Sequence, residues 1–220
     1  MAHARTLSHA AVCTCAALCA LALPACGDWR LFSARREAGN ASLRTTSASQ
    51  PVALTPAFRT AVYRATDGQA ADVYLTDLPI ERLTDLSDPL ADASGSIVHI
   101  AMFVTPLAGR TPIDATACNA SIRQFVLAGN GEPGAPPAVG VYGGGGFVIP
   151  GELGATRLDL AVRGATLRLV HATPAFSDVL GPSQMQGQVR AVYDPGAVNA
   201  LSARVQQLST QARAGQARAK

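Results

Sequence analysis

The last third of the chain constrains the fold most, because alternating apolar segments follow one another there with turn residues between them. In residues 158–163 and again in residues 188–193, apolar side chains alternate with polar ones. Gly164 separates the first of these segments from a further apolar segment over residues 166–172. Alternation with a period of two is typical of half-buried strands. Short strands separated by glycine and proline predict an antiparallel β-sandwich, and therefore a mainly β fold.

Upstream segments fit the same fold. The sequence predicts further strands over residues 58–64, 72–77, 97–104, 119–127, 139–142 and 147–149. Residues 119–127 also fit a helix, but the Gly129-Asn130-Gly131 sequence that follows favours a strand. Residues 78–95 are polar and contain two prolines, which indicates a loop with one helical turn around residues 80–83.

The C-terminal residues 198–220 are predicted to form a short basic helix. Val198, Leu201, Val205 and Leu208 fall on one helical stripe, which either packs on a sheet or projects freely. This tail contains the basic residues Arg204, Arg213, Arg218 and Lys220. It is interpreted as a frayed end, or alternatively as a contact with anionic lipid or an envelope polymer. The formal net charge of +3 is concentrated there and not on an aromatic-rich face, so we do not expect nucleic-acid binding.

The N-terminal segment has the layout of a secretory signal. His3 and Arg5 lie in a polar start, and residues 10–23 form an apolar run that is too short to span a bilayer. Leu23-Pro24-Ala25-Cys26 follows, and it resembles the lipobox of bacterial lipoprotein signal peptides. An ordinary cleaved signal and an uncleaved membrane anchor are the alternatives.

The lipobox resemblance implies cleavage between Ala25 and Cys26 and acylation of the Cys26 thiol. Residues 1–25 would then be the signal peptide, residues 26–55 a flexible tether and residues 56–197 a single sandwich domain. Membrane lipid would hold the protein in the bacterial cell envelope. Gly27 after the cysteine implies the outer membrane in an organism with two membranes.

Cys118 would be the one cysteine of the processed chain besides Cys26. A single thiol in an oxidising compartment is interpreted here as a small buried hydrophobic residue.

The four consecutive glycines at residues 143–146 do not match a phosphate-binding loop. Such a loop lies between a strand and a helix, whereas an apolar strand-like segment follows here. An esterase oxyanion loop would require a G-x-S-x-G sequence, and the chain contains none. The glycines therefore predict a flexible hairpin or an edge bulge.

Two histidines, His99 and His171, lie within predicted strands. Strand periodicity puts His99 on one face with Ile97, and His171 on one face with Leu169. If these faces oppose each other, the two rings could share a zinc site or supply a general base. The alternative is that each imidazole is a hydrogen-bonded packing residue within its strand and belongs to no shared site.

The loop over residues 77–92 contains the main acidic cluster, which is formed by Asp77, Glu81, Asp85, Asp88 and Asp92. Calcium favours several loop oxygens, but the spacing does not match a known calcium loop, and solvated carboxylates are the alternative. We predict no resident cofactor or metal.

Together these features predict an exported lipoprotein with a non-catalytic binding or structural role. Its expected partners are membrane lipid through Cys26 and an envelope protein or polymer. The alternative is a hydrolase or metal-dependent enzyme that uses His99 or His171. An enzyme would bring a histidine, a carboxylate and an open pocket together, whereas a binding module would bury both histidines.

Overall fold

The computed structural model of the protein describes residues 38–46, 52–106, 117–129 and 136–218. The predicted signal peptide with Ala25, the predicted acylation site Cys26 and much of the predicted tether lie outside these residues.

Strands dominate the described part of the chain. In chain order its elements are β1 (Gly39–Thr45), β2 (Ala53–Leu54), β3 (Thr60–Ala65), β4 (Ala71–Thr76), α1 (Ile80–Thr84), β5 (Gly95–Met102), β6 (Ala120–Ala128), β7 (Ala138–Pro150), β8 (Arg157–Ala172), β9 (Ser183–Tyr193) and α2 (Pro195–Arg218). The predicted mainly β, antiparallel class with a C-terminal helix is confirmed. The helical turn predicted around residues 80–83 is α1. No helix in the four described ranges has the length and hydropathy needed to cross a bilayer.

All described strands belong to one sheet, in the order β2-β1-β9-β3-β4-β5-β6-β7-β8, and β8 also pairs with β9. Strands β3 to β9 therefore form a closed ring, whose one parallel contact joins β3 to β9. This single closed sheet takes the place of the two separate sheets expected for a sandwich. The physical reason lies in β7 and β8, which are 13 and 16 residues long and contain bulges that bend them back towards β9.

The two faces of the sheet bury different apolar clusters. The inner face encloses the larger cluster, which includes Tyr63, Ile122, Tyr142 and Leu160. The outer face of part of the ring packs against α1 and α2. On α2, the predicted apolar stripe is buried against the sheet, so the helix packs on the sheet instead of projecting freely.

The glycine run lies inside β7, between β6 and β8, and not in a hairpin or at a sheet edge. The two short strands predicted on either side of it are one strand. A Cβ at Gly144 would lie 1.9 Å from the Thr166 carbonyl oxygen, and a Cβ at Gly146 would lie 2.4 Å from the Ala165 Cβ. Glycine is therefore required where the bent strands approach each other closely. A register shift between Gly145 and Phe147 does supply a bulge, although at a central position.

Two further segments differ from their predictions. Residues 39–45 of the predicted tether form β1, which pairs along β9 from Ser183 to Val189. The two strands predicted around Gly164 are one strand, β8, because Gly164 has a positive φ of 67° at a bulge and the ladder to β9 resumes after it.

Arg204 of α2 is buried and not part of a frayed tail. The residue is 2% exposed, and its guanidinium donates hydrogen bonds to the carbonyl oxygens of Leu83, Asp88, Arg82 and Asp85. The guanidinium thus satisfies carbonyl groups at and after the end of α1 and ties the 82–88 segment to α2. Burial lowers the pKa of Arg204 relative to an exposed arginine, against the opposing effect of nearby Asp88 and Asp85.

Candidate functional site

One row of directly opposed residues crosses five strands on the outer face of the sheet. It runs from Tyr74 on β4 through His99 on β5, Arg123 on β6 and Gly143 on β7 to Arg168 on β8. Alternation along each strand places these residues on the side of the sheet that faces α2. The row therefore collects an aromatic ring, an imidazole and two guanidinium groups on one surface.

Helix α2 lies along this row and forms a groove with it. The residues of α2 that line the groove are Ser202, Val205, Gln206, Ser209, Thr210 and Arg213. A cavity of about 430 Å³ lies over β6, β7 and β8, and a second cavity of about 220 Å³ lies over Tyr74 and His99. Both are lined by Arg123, Ser209 and Arg213, so they form one continuous groove, which we call the helix–sheet groove.

His99 is held by a network that extends to α2. Its Nε2 lies 2.9 Å from Oδ1 of Asp72, and the other oxygen of that carboxylate accepts a hydrogen bond of 2.9 Å from Arg64. Arg64 also donates to Asn199 of α2 at 2.5 Å. Burial opposes ionisation of Asp72, but the hydrogen bonds from His99 and Arg64 outweigh it and hold the Asp72 pKa below its ordinary value.

The imidazole of His99 is covered by Tyr74. The two rings are stacked, with 4.3 Å between their centroids and 7° between their planes. The His99 side chain is 17% exposed. Burial lowers the pKa of His99, although the hydrogen bond to Asp72 acts in the opposite direction. A neutral His99 donates from Nε2 to Asp72 and keeps Nδ1 as an acceptor.

His171 lies on the same outer face as His99, which corrects the predicted grouping with Leu169. A register shift at Val170 changes the alternation, so that His171 opposes Val141 while Leu169 opposes Tyr142. Its Nε2 accepts a hydrogen bond of 3.3 Å from Nε of Arg213. Because three strand spacings of about 4.8 Å separate β5 from β8, the two imidazoles line the same groove without meeting.

The charge of the groove is strongly one-sided. Among the described residues that line it there are three arginines, Arg123, Arg168 and Arg213, and no carboxylate. Arg123 and Arg168 are exposed, and within the described residues neither makes a hydrogen bond or an ion pair. The charge of Arg123 also contributes to the lowered pKa of His99.

The acidic loop considered for calcium is occupied by internal partners. Arg82 pairs with Asp88 at 2.7 Å and with Asp92 at 2.8 Å. Asp85 accepts hydrogen bonds from Ser87, and Asp77 accepts one from the backbone N–H of Ser96. In the described part of the chain, no group of three or more His, Cys, Asp or Glu residues is placed to hold a metal ion.

Two other features, the Cys118 thiol and a cavity beside β9, bring fewer charged groups together than the helix–sheet groove does. Cys118 is exposed, not buried as predicted, and its Sγ lies 3.4 Å from the carbonyl oxygen of Ala120. A cavity of about 900 Å³ lies where β1 and β8 flank β9, and its lining combines backbone and amide groups with a single charged residue, Arg163.

Comparison with protein families, with curated proteins and with solved structures finds no match to this chain.

Sequence reasoning missed Arg123 and Arg168, and it treated Arg213 only as part of a basic tail. Arg123 alternates with Ile122 and Gln124 in a predicted strand, so its outward direction was readable from the sequence. Nothing in the spacing of Arg123, Arg168 and Arg213 pairs them, because strand register and helix docking bring them together.

Proposed function

We propose that the protein is an exported bacterial lipoprotein whose folded domain has a non-catalytic binding role in the cell envelope. The lipobox-like sequence at residues 23–26 and the short apolar segment before it support the anchor. Gly27 after the cysteine supports the outer membrane as its place in a cell with two membranes.

The observation that carries the binding role is the pair of exposed arginines in the helix–sheet groove. Arg123 and Arg168 have no ion-pair partner among the described residues, and the described lining around them contains no carboxylate. Unpaired guanidinium groups in a concave site supply hydrogen-bond donors that a ligand or partner can use.

The anchor is tested by mass spectrometry of the N-terminal peptide from the membrane fraction of cells that make the full chain. We expect a peptide that begins with acylated Cys26, and we expect Cys26→Ser to abolish both the acyl group and the cleavage. An unmodified peptide that begins elsewhere contradicts the anchor.

The binding role is tested with a photocrosslinking amino acid at Gln206 in the groove and, as a control, at Arg163 outside it. We expect an adduct in intact cells from position 206 and not from position 163. Mass spectrometry of the adduct distinguishes a protein, a polymer and a small molecule. Equal labelling from both positions contradicts a binding groove.

The second candidate is a hydrolase, which the Asp72–His99 pair beside the 220 Å³ cavity favours. A carboxylate that orients an imidazole is part of many nucleophilic sites. Two features favour binding instead: Asp72 also holds Arg64, and within the described residues no serine or threonine hydroxyl is hydrogen-bonded to His99. Ester, phosphoester and glycoside hydrolysis that is lost in His99→Asn would support the enzyme over the binding module.

A further inference from the structure

The floor of the helix–sheet groove contains a notch at Gly143, between the arginines of the two adjacent strands. We propose that this notch binds the phosphate group of a small phosphorylated ligand, with Arg123 and Arg168 as its main anchors. The inference rests on the proposed binding role and names the ligand class.

The strand register places the two arginines on either side of one glycine. Arg123 directly opposes Gly143 on one side, and Arg168 opposes it on the other. With strands about 4.8 Å apart, their Cα atoms are separated by roughly 10 Å, so both side chains can approach one anion above the glycine. A Cβ at Gly143 would lie 3.3 Å and 3.4 Å from the methyl carbons of Val170, so this side chain forms a close apolar wall of the notch. Gly143, Val170 and both arginines line the same cavity.

The number of donors favours phosphate over carboxylate. Each guanidinium presents a planar fork that fits two oxygens. A carboxylate carries a single negative charge on two oxygens, and one bidentate fork already engages both oxygens. A phosphate monoester has three terminal oxygens and a charge near −2, so it can accept from Arg123 and Arg168 together. Ser121 and Ser209 line the same cavity and add hydroxyl donors.

The size of the groove indicates a ligand with a polar body attached to the phosphate. The cavity above the notch measures about 430 Å³, which lies within the range of small-molecule sites and exceeds the need of a bare ion. It continues towards Gln206 and Thr210 of α2, whose polar groups suit ligand hydroxyls. Arg213 approaches from the helix side and is positioned by its hydrogen bond to His171.

Calorimetric titration of the full chain in a non-ionic detergent tests the inference. The probes are glycerol 3-phosphate, inorganic phosphate and acetate. We expect saturable one-to-one binding of glycerol 3-phosphate, with inorganic phosphate weaker and acetate at least tenfold weaker. Arg123→Gln and Arg168→Gln should each weaken binding of glycerol 3-phosphate at least tenfold. Arg163→Gln is the matched control, because this exposed arginine lies on the same strand as Arg168 but outside the groove, and it should leave the affinity unchanged.

Gly143→Ala separates the notch from the charge. Its methyl group would narrow the notch and press against Val170 without removing either arginine, so we expect weaker binding at unchanged net charge. Circular dichroism and thermal unfolding of each variant verify that the fold is retained, since the side chains changed at Arg123 and Arg168 are exposed.

A further probe, dihexanoyl phosphatidic acid, distinguishes the source of the phosphate. Binding of glycerol 3-phosphate alone indicates a soluble phosphoester, and binding of the short-chain lipid alone indicates a lipid headgroup; either result supports the phosphate site. Equal affinity for acetate, unchanged affinity in both arginine variants, or no saturable binding of either phosphoester would overturn it. The calorimetry is a separate measurement from N-terminal acylation and from crosslinking at position 206. If calorimetry shows no binding while acylation and crosslinking are observed, the phosphate site fails and the proposed function stands.

Discussion

The phenol ring of Tyr74 lies parallel to the imidazole of His99, with 4.3 Å between the two centroids. Tyr74 belongs to β4 and His99 to β5, and the two residues oppose each other in the antiparallel ladder. Tyr74 and Ser202 of α2 line the same cavity, and burial raises the Tyr74 pKa although Ser202 acts in the opposite direction. The stack therefore joins the sheet to the helix at one end of the groove, and it shields His99 from water.

This shielding predicts how stability depends on pH. Because the His99 pKa in the folded protein lies below its unfolded value of 6.5, the folded state binds fewer protons in the interval between the two. The contribution of His99 to stability is complete above pH 6.5 and is lost as the pH falls towards the lower folded pKa. Urea unfolding of His99→Asn should therefore show a smaller loss of free energy between pH 7.5 and 5.5 than the wild-type protein does. An identical loss in both proteins would contradict this assignment.

Arg204 is predicted to be the most sensitive charged residue of α2. Replacement by Met leaves the carbonyl oxygens that it serves without their donors, and we expect a loss of about 3 kcal/mol in the free energy of unfolding. The free energy of unfolding of Arg204→Lys should lie between those of the wild-type protein and Arg204→Met, because one ammonium cannot reach all four carbonyls. Gln206→Ala changes an exposed side chain in the groove and should alter stability by less than about 0.5 kcal/mol. Equal effects of Arg204→Met and Gln206→Ala would argue against the role assigned to Arg204.

Gly144 is predicted to tolerate no side chain. An alanine Cβ at this position would lie 1.9 Å from a backbone oxygen of β8, so the two strands would have to separate. We expect Gly144→Ala to lower the free energy of unfolding by about 3 kcal/mol or to prevent soluble expression. Gly68→Ala is the control, since nothing lies within 4 Å of a Cβ there. A Gly144→Ala protein as stable as the control would show that β7 and β8 are farther apart than described.

Tyr142 and Asp178 are predicted to fix the 173–182 loop against the interior of the sheet. The buried Tyr142 hydroxyl donates a hydrogen bond of 2.6 Å to Asp178, which also accepts from the backbone N–H groups of Leu180 and Gly181. Burial, together with the Asp178 carboxylate, raises the Tyr142 pKa. Tyr142→Phe should cost about 2 kcal/mol in urea unfolding, as expected for a hydrogen bond to a charged group. Asp178→Asn keeps an acceptor and should lower the free energy of unfolding by less than Tyr142→Phe does. A larger loss in Asp178→Asn than in Tyr142→Phe would refute this pairing.

Much of the fold was predictable from local patterns. The alternation in residues 158–163 and 188–193 identified parts of β8 and β9, and the polar, proline-containing segment before β5 identified α1 as a single turn. The glycine run was misinterpreted, because glycine gives the same local signal in a hairpin and in a strand that is approached closely by its neighbours. Only the contact between Gly144 and the backbone at Thr166 distinguishes the two.

The sequence by itself determined the strand periodicity, the apolar stripe of α2 and the outward direction of residues such as Arg123, because each follows from the geometry of a single element. The tertiary structure alone decided that the sheet closes, that Arg204 is buried, and that the bulge at Val170 turns His171 towards the helix. It also decided that Arg123 and Arg168 flank Gly143. Each of these depends on strand register and helix docking, which arise from contacts between residues far apart in the chain and leave no local pattern.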